Sequence, residues 1–187
     1  MNSNYQITNW CHNFIRQHVL EGDICIDATA GNGNDTELLC RLTGPSGKVY
    51  AFDIQEQALQ ATHARLQKAG LSAILIQDGH ENMELHIHEK GEISCAVFNF
   101  GYLPGGDHAL ATQAHTSIAA VQAALHLLKK GGILSLCIYS GGDSGFAEKE
   151  ALLSYLKELD SKHYLCIVSE YYNRPNHPPT PVLVVKL

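Results

Sequence analysis

Five near-continuous apolar runs of strand length, separated by segments with helical periodicity, set the fold of this chain. Continuous apolar strands are typical of a parallel sheet that helices cover on both faces. The alternation therefore predicts a doubly wound α/β fold. The predicted strands are residues 22–28, 48–53, 73–78, 93–100 and 132–139. The predicted helices are residues 5–20, 34–42, 55–69, 112–130 and 145–159, with a weaker one at 81–88.

The C-terminal part departs from this alternation. Residues 164–172 and 181–187 are two more apolar runs, and only the segment NRPNHPPT separates them. A crossover helix does not fit into so short a connection, so these two strands are predicted to be antiparallel. We therefore expect a Rossmann-like, seven-stranded, mostly parallel sheet with an antiparallel last strand and helices on both faces.

The length of the chain limits the number of its domains, and its first twenty residues bear on its location. Its 187 residues suffice for one substantial core and are too few for two ordinary domains. We interpret residues 1–187 as a single domain, with an N-terminal helix in 1–20 and the Rossmann-like core in 21–187. Polar residues interrupt the first twenty positions, so neither a signal peptide nor a membrane span is expected.

The cysteines and histidines give little sign of a metal. The six cysteines never form a C-x-x-C pair, and four lie in apolar runs, which favours reduced core thiols in a cytoplasmic protein. His86 and His88 are the closest pair of histidines, and a second cluster with ligand spacing is missing from the sequence. No metal is therefore expected.

The segment IDATAGNGNDT, residues 26–36, is almost bare of bulky side chains. A dinucleotide-binding loop would follow the pattern G-x-G-x-x-G or A, but Thr36 stands at the third small position and Asp35 precedes it. An aspartate at a helix start would repel a pyrophosphate. The loop instead suits a nucleoside ligand with a cationic or zwitterionic tail, because Gly31 and Gly33 would let the backbone approach that tail. The side chains that can bind such a tail are Asn32, Asn34 and Asp35.

An acid after the second strand extends this site. Asp53 lies twenty residues past Gly33, the spacing at which such folds place a carboxylate on ribose hydroxyls. Asp78 or His80, after the third strand, would then lie near the base. S-adenosylmethionine fits this set, and a tight turn without a ligand is the alternative. The predicted cofactor-binding residues are Thr29, Gly31, Asn32, Gly33, Asn34, Asp35, Asp53, Ile54, Gln55, Asp78, His80 and Asn99.

The order of an acid and spaced glycines in DATAGNG, residues 27–33, resembles the class I methyltransferases, with Thr29 where the first glycine usually stands. Together with VYAFDIQ, VFNFGYLPGGDH and a C-terminal PP loop, it is similar to the bacterial family named for rRNA methylases. The resemblance covers the chain from Gly22 onward. It implies methylation of 5-aminomethyl-2-thiouridine at the wobble position of tRNA, which yields 5-methylaminomethyl-2-thiouridine. Composition and spacing do not identify this base.

The end of the fourth strand and the residues directly after it are Asn99, Phe100, Gly101 and Tyr102. This order resembles the motif of amino-group methyltransferases that act on nucleobases, in which two prolines stand at the second and third positions. In that motif the Asn carbonyl accepts a hydrogen bond from the target amine, and the aromatic ring stacks on the base. The resemblance assigns Asn99 to orienting the amine and Tyr102 or Phe100 to stacking. Alternatively, Phe98 and Phe100 are core residues and Asn99 only caps the strand.

The target amine also needs to lose a proton. An alkylamine is mostly protonated at neutral pH, and only its neutral form has the lone pair that attacks a methyl group. Asp107 and His108 are the candidate bases, with Tyr139 and His177 in reserve, although PGGDH is equally readable as a plain turn. The predicted catalytic residues are Asn99, Tyr102, Asp107 and His108.

The charge of the chain limits how it binds RNA. A formal net charge of -6 argues against a large basic surface but not against a local basic patch. Single-stranded RNA loops are bound by aromatic stacking and by cations on phosphates. Few cations indicate a small footprint, such as a tRNA anticodon stem-loop, or a homodimer that adds a second surface. The predicted RNA-binding residues are Tyr102, Tyr139, Tyr172, Arg174 and His177.

Two other functions stay open at this point. One is methylation of rRNA or of a small-molecule amine, and the net charge fits the small molecule somewhat better. The other is a non-catalytic module that binds S-adenosylmethionine without turnover.

Overall fold

The structure is a computed structural model that describes residues 6–101, 112–140 and 142–187. Strands and helices alternate through the first five strands, as the sequence predicts. The helices are α1 (Ile7–His18), α2 (Asn34–Thr43), α3 (Glu56–Ala69), α4 (Met83–His86), α5 (Ala114–Leu127) and α6 (Gly142–Lys157). The strands are β1 (Ile24–Asp27), β2 (Lys48–Phe52), β3 (Ile74–Ile76), β4 (Ile93–Phe100), β5 (Leu128–Ile138), β6 (Tyr164–Val168) and β7 (Thr180–Lys186). A 3₁₀ turn, His80–Asn82, precedes α4.

These strands form one sheet in the order β3-β2-β1-β4-β5-β7-β6. All pairings among strands β1 to β5 are parallel. Strand β7 is antiparallel to both of its neighbours, β5 and β6. The predicted fold class is therefore confirmed. The strand order reverses between β1 and β4, and open α/β sheets bind ligands beyond the strand ends at such a switch point.

Apolar clusters fill both faces of the sheet. On one face, Phe98 of β4 packs with helices α5 and α6, and on the other, Ile15 of α1 packs with α2 and α3. Burial on both faces explains the continuous apolar runs, because seven of the eight residues of β4 are buried. Five of the six cysteines are buried, and Cys166 is half-buried.

The boundary between α5 and β5 differs from the prediction of a helix over residues 112–130. The helix ends at Leu127, and β5 begins at Leu128. Its pairing with β4 shifts register between Ile93 and Cys95, and Gly131 takes a left-handed conformation with φ 78°. Lys129, Lys130 and Gly131, at the end of the predicted helix, therefore form the irregular start of a strand.

Within the described ranges, every helix is too short or too polar to cross a bilayer. The same residues contain no group of three or more His, Cys, Asp or Glu side chains that could hold a metal ion.

Candidate functional site

The loop between β1 and α2 needs glycine at two positions. Gly31 and Gly33 have φ of 52° and 75°, in the left-handed region. A Cβ on Gly33 would lie 2.9 Å from the Cα of Thr62 in α3, so only glycine lets α3 pack this close. The Thr62 hydroxyl in turn donates to the carbonyl of Gly31 at 3.1 Å. The predicted cofactor loop is thus held in place by α3.

A second residue of α3 supports the same loop. The Nε of Arg65 donates to the carbonyl of Asn32 at 2.7 Å, and its Nη1 pairs with Glu37 at 3.0 Å. The side chains of Asn32 and Asn34 stay exposed beside this fixed backbone. The carbonyl of Asn32 is thus already bonded, and the cofactor contacts of the two side chains stay a prediction.

Asp53 follows β2 and reaches back to the glycine loop. Its Oδ2 accepts the N–H of Gly31 at 2.9 Å, and its Oδ1 accepts the N–H of Gln55 at 2.9 Å. Each carboxylate oxygen can accept a second hydrogen bond, which suits the two hydroxyls of a ribose. Ile54, next to it, is 52% exposed and offers an apolar surface to a base. The structure brings Asp53 to the loop as the spacing predicts, and its ribose role stays a prediction.

We expect Asp53→Ala to weaken binding of S-adenosylmethionine at least tenfold, or about 1.4 kcal/mol. The substitution removes the predicted ribose acceptors and the hydrogen bond that holds Gly31. Isothermal titration calorimetry measures this directly. Asp53→Asn keeps one carbonyl acceptor, so its affinity for S-adenosylmethionine should lie between those of the wild type and Asp53→Ala. An affinity equal to that of the wild type would contradict the ribose assignment.

Thr29 stands where the class I methyltransferase pattern that the sequence resembles has a glycine, and the structure gives its side chain a role. Its Oγ1 accepts the backbone N–H of Asn99 at 2.8 Å. The register of β1 with β4 ends at the pair of Asp27 and Val97, so the hydroxyl takes the place of a strand partner for Asn99. The departure from glycine is therefore compensated within this chain.

Asp35, in the first turn of α2, connects three elements. Its Oδ2 accepts a hydrogen bond from the Nδ2 of Asn99 at 2.7 Å, and its Oδ1 lies 2.5 Å from the Nε2 of His12 in α1. The side chains of His12 and Asp35 are each 14% exposed. The predicted cofactor residue Asp35 and the predicted amine-orienting residue Asn99 thus meet. His12 was missed, because a single polar residue in a helix carries no signal of its partner.

Acidic side chains surround the glycine loop. Asp27 is fully buried and accepts hydrogen bonds from the Thr36 hydroxyl at 2.6 Å and the Thr29 N–H at 3.1 Å. Burial, and then the charges of Asp35 and Asp53, raise the pKa of Asp27 to about 7. A loop among three carboxyl groups favours a ligand that carries positive charge and disfavours a pyrophosphate.

Asp78, after β3, belongs to a local hydrogen-bond network. Its Oδ2 lies 2.8 Å from the Nε2 of His86, and its Oδ1 accepts from Asn82 at 2.8 Å and from the Gly79 N–H at 2.7 Å. The bonds from His86 and then Asn82 hold the pKa of Asp78 below its usual value. Asp78 is therefore an ionised acceptor at the same edge of the sheet.

His80 is buried rather than open to the edge. Its Nδ1 lies 3.2 Å from the carbonyl of Ala28, and its ring contacts Phe98 and Phe100 edge-on. Burial lowers the pKa of His80, which favours the neutral imidazole. Phe98 and Phe100 are fully buried and stacked on each other at 5.1 Å. This is the arrangement that the core alternative predicts, so Phe100 is not available to stack on a base.

Residues 102–111 lie outside the described residues, and with them the predicted site residues Tyr102, Asp107 and His108. The residues on either side are joined, because the Gly101 N–H donates to the Thr112 Oγ1 at 2.8 Å and the Thr112 N–H donates to the Gly101 carbonyl at 3.0 Å. The hydroxyls of Thr112 and Ser117 donate to Glu148 at 2.9 and 2.5 Å. Glu148 is only 2% exposed, so a buried carboxyl group of α6 fixes this junction.

Tyr139 lies beside the end of β4. Its backbone N–H donates to the carbonyl of Phe100 at 3.0 Å, and a Cβ on Gly101 would lie 3.0 Å from the Cβ of Tyr139. Burial raises the pKa of the Tyr139 phenol, so it stays neutral and is unsuited as a base. An RNA contact through its ring stays a prediction.

The predicted RNA-binding loop lies between β6 and β7. Tyr172 is 95% exposed, and Arg174 is exposed as well. His177 has a left-handed backbone with φ 45°, and its ring contacts that of Phe146 in α6 edge-on at 5.2 Å. The Ser140 hydroxyl donates to the His177 carbonyl at 3.3 Å. These contacts connect the loop to the carboxyl end of β5, on the predicted substrate side.

Comparison with known proteins agrees with this geometry. The family model described as "Putative rRNA methylase" matches residues 49–185. The crystal structure of a "putative rRNA-methylase" from Clostridium thermocellum is 42% identical, with a TM-score of 0.94 over 96% of this chain and 97% of that one. A "putative methyltransferase" from Streptococcus mutans, solved in complex with SAH, is 38% identical, with a TM-score of 0.89 over 97% and 98% of the two chains.

A plant relative is also similar. The chloroplastic tRNA (mnm5s2U34)-methyltransferase of Arabidopsis thaliana is 34% identical over 181 residues, which cover 91% of this chain. The chain spans 66% of the length of that relative. The family match covers well over half of this chain and includes the motif at residues 97–108. The protein therefore belongs to the family described as "Putative rRNA methylase", and it has the class I methyltransferase fold.

Proposed function

We propose that this protein methylates the exocyclic amine of 5-aminomethyl-2-thiouridine at the wobble position of tRNA, giving 5-methylaminomethyl-2-thiouridine. The protein is a methyltransferase, and its cofactor is S-adenosylmethionine, in agreement with the family and with the SAH-bound relative. The name of the plant relative supports the tRNA base. The observation that carries the proposal is the hydrogen bond between Asn99, at the end of β4, and Asp35 of the cofactor loop.

The glycine loop and the residues after β2 each bind a different part of the cofactor. Asp53 accepts from the ribose hydroxyls, Ile54 packs against the adenine, and the loop at Gly31 and Gly33 approaches the methionine part. S-adenosylmethionine supplies a methyl group on a positively charged sulfur. The carboxylates around the loop stabilise that charge, since opposite charges attract strongly where water is largely excluded.

Asn99 orients the amine that receives the methyl group. Its Nδ2 donates to Asp35, which leaves its Oδ1 to accept a hydrogen bond from the amine. Among the residues that the structure describes, none donates to this oxygen. Because the reaction is an in-line displacement, holding the nitrogen on the axis of the sulfur–methyl bond is the main contribution of the protein. Asp107 or His108 accepts the proton of the amine in this proposal.

The location and assembly of the protein are further parts of the proposal. We infer a cytoplasmic protein, which the buried free thiols support. We also infer a homodimer. Exposed apolar side chains on the edge strand β6 support this, because they offer a surface for a second copy. These side chains are Leu165, Ile167 and Val168.

Arg174 provides the test of the RNA-binding loop. We expect Arg174→Glu to raise the KM for tRNA about tenfold and to lower the salt sensitivity of binding, because one phosphate contact is lost. Filter binding at several salt concentrations, together with steady-state kinetics, measures both effects. Lys162→Glu, a charge reversal in the turn before β6, is the matched control. Wild-type binding by Arg174→Glu at every salt concentration would place Arg174 outside the RNA footprint.

A competition experiment separates this function from its alternatives. The purified protein is incubated with labelled S-adenosylmethionine and three acceptors: tRNA that carries 5-aminomethyl-2-thiouridine, ribosomal RNA, and a simple alkylamine. The proposal predicts label in the tRNA alone. Label in ribosomal RNA would support the function after which the family is named, and label in the amine would indicate a small-molecule enzyme. Cofactor binding without transfer to any acceptor would support a non-catalytic module.

A further inference from the structure

Helix α1 contributes a side chain to the candidate active site. His12 lies in the middle of α1, and its ring is within hydrogen-bond distance of Asp35, which also binds Asn99. The cleft around this contact is lined by residues of α1, β4 and β5, including Thr8, Cys11, Ser135 and Cys137. The family match begins at residue 49, so it assigns no role to this helix.

The chemistry of the carboxamide explains why Asp35 matters. A carboxamide has a donor end and an acceptor end of similar shape, so rotation by a half-turn exchanges them. An ionised carboxylate only accepts hydrogen bonds, so Asp35 selects the rotamer in which Nδ2 of Asn99 faces it. The acceptor end, Oδ1, then remains for the target amine. The position of Asp35 therefore decides which end of Asn99 the substrate meets.

His12 fixes that position. Its Nε2–H donates to Oδ1 of Asp35, while Oδ2 accepts from Asn99, so the two bonds hold the carboxylate from both sides. Both side chains are mostly buried, where a charge-assisted hydrogen bond is stronger than at the surface. Without His12, the Asp35 carboxylate is free to turn towards another donor, such as an ammonium group of a ligand. Asn99 would then lose its fixed orientation.

We propose that His12 is a positioning residue that acts through Asp35 to orient Asn99 towards the target amine. This inference rests on the proposed function. It assigns α1 to the active site rather than to the core alone, and it predicts a defect in turnover rather than in cofactor binding. The alternative, a purely structural His12, predicts lower stability with unchanged kinetics of the folded protein.

The test compares three variants of the full-length protein. His12→Ala should lower kcat about tenfold or more, with the Kd for S-adenosylmethionine and the KM for tRNA changed by less than about threefold. His12→Gln should recover most of kcat, because the amide nitrogen of glutamine reaches nearly as far as Nε2 and is a hydrogen-bond donor. His18→Ala is the matched control in the same helix, because His18 is exposed and, among the described residues, its ring bonds only to the Phe14 carbonyl.

The outcomes separate this inference from the function on which it rests. If the wild type methylates tRNA and His12→Ala keeps its kcat, the inference is wrong and the function stands. If His12→Ala and His12→Gln are equally slow and equally weak in binding the cofactor, the inference is also wrong, because the defect then lies in cofactor binding rather than in the orientation of Asn99. If the wild type transfers no methyl group to tRNA, the function and the inference fail together.

Discussion

Asn99→Ala is expected to lower kcat about 100-fold while changing the Kd for S-adenosylmethionine by no more than about threefold. The loss follows from the proposed role of the carboxamide, in which its oxygen holds the amine on the axis of methyl transfer. Misplacement by about 1 Å can cost a factor of this size. The proposed contacts of the cofactor with the glycine loop and Asp53 are not altered by this substitution. Single-turnover kinetics with saturating tRNA, combined with calorimetric titration of the cofactor, separate the two quantities.

Asn99→Asp is the informative companion of this variant. It preserves shape but removes the donor, and it places a second carboxyl group against Asp35, which Asn99 contacts at 2.7 Å. We therefore expect it to be at least as slow as the alanine variant. A loss of cofactor binding in parallel with kcat in both variants would contradict the orienting role and would assign Asn99 to the cofactor site instead.

Asp27→Asn is expected to stabilise the protein at pH 8 and to have little effect near pH 4. The folded state raises the pKa of Asp27 from 3.8 to about 7. Between these values the folded protein holds a proton that the unfolded chain releases, so the free energy of unfolding falls as the pH rises. The shift corresponds to a loss on the order of 4 kcal/mol above pH 7. An asparagine does not ionise and avoids this loss.

The geometry permits this exchange. Asp27 accepts from the Thr29 N–H and the Thr36 hydroxyl, and an asparagine can accept from the first with its carbonyl and donate to the second with its amide. Urea unfolding of wild type and variant at pH 4, 6 and 8 is the measurement. A difference in unfolding free energy that stays constant across the three pH values would show that Asp27 does not titrate in this range.

The fold was largely predictable from the sequence because burial on both faces leaves a continuous apolar signal. Strand β4, with seven buried residues out of eight, is the clearest case. Gly44 and Gly70 directly follow helices α2 and α3, close to the predicted helix ends at residues 42 and 69, and both have the positive φ that is typical of glycine after a helix. The predicted start of β5 was wrong because lysines followed by glycines are also typical of a helix end. Only the pairing with β4 distinguishes the start of a strand from the end of a helix here.

Those site residues were predictable whose positions follow from their distance along the sequence from a strand end. Asp53 contacts the glycine loop because the ends of neighbouring parallel strands meet at one edge of the sheet. His12, Thr62 and Glu148 were not predictable in this way. Their partners lie 23, 31 and 36 residues away in the sequence, so the contacts depend on how whole helices pack. Phe100 was left open, because a buried ring and a stacking ring have the same sequence signature.

The most direct test of the proposed function is mass spectrometry of nucleosides from tRNA that carries 5-aminomethyl-2-thiouridine. The tRNA is incubated with the protein and with S-adenosylmethionine whose methyl group is deuterated, and Asn99→Ala serves as the control. We predict that 5-aminomethyl-2-thiouridine is converted to its deuterated methylamino form by the wild type, and far more slowly by the variant. An unchanged 5-aminomethyl-2-thiouridine with the wild type, under conditions in which the cofactor binds, would contradict the proposed function.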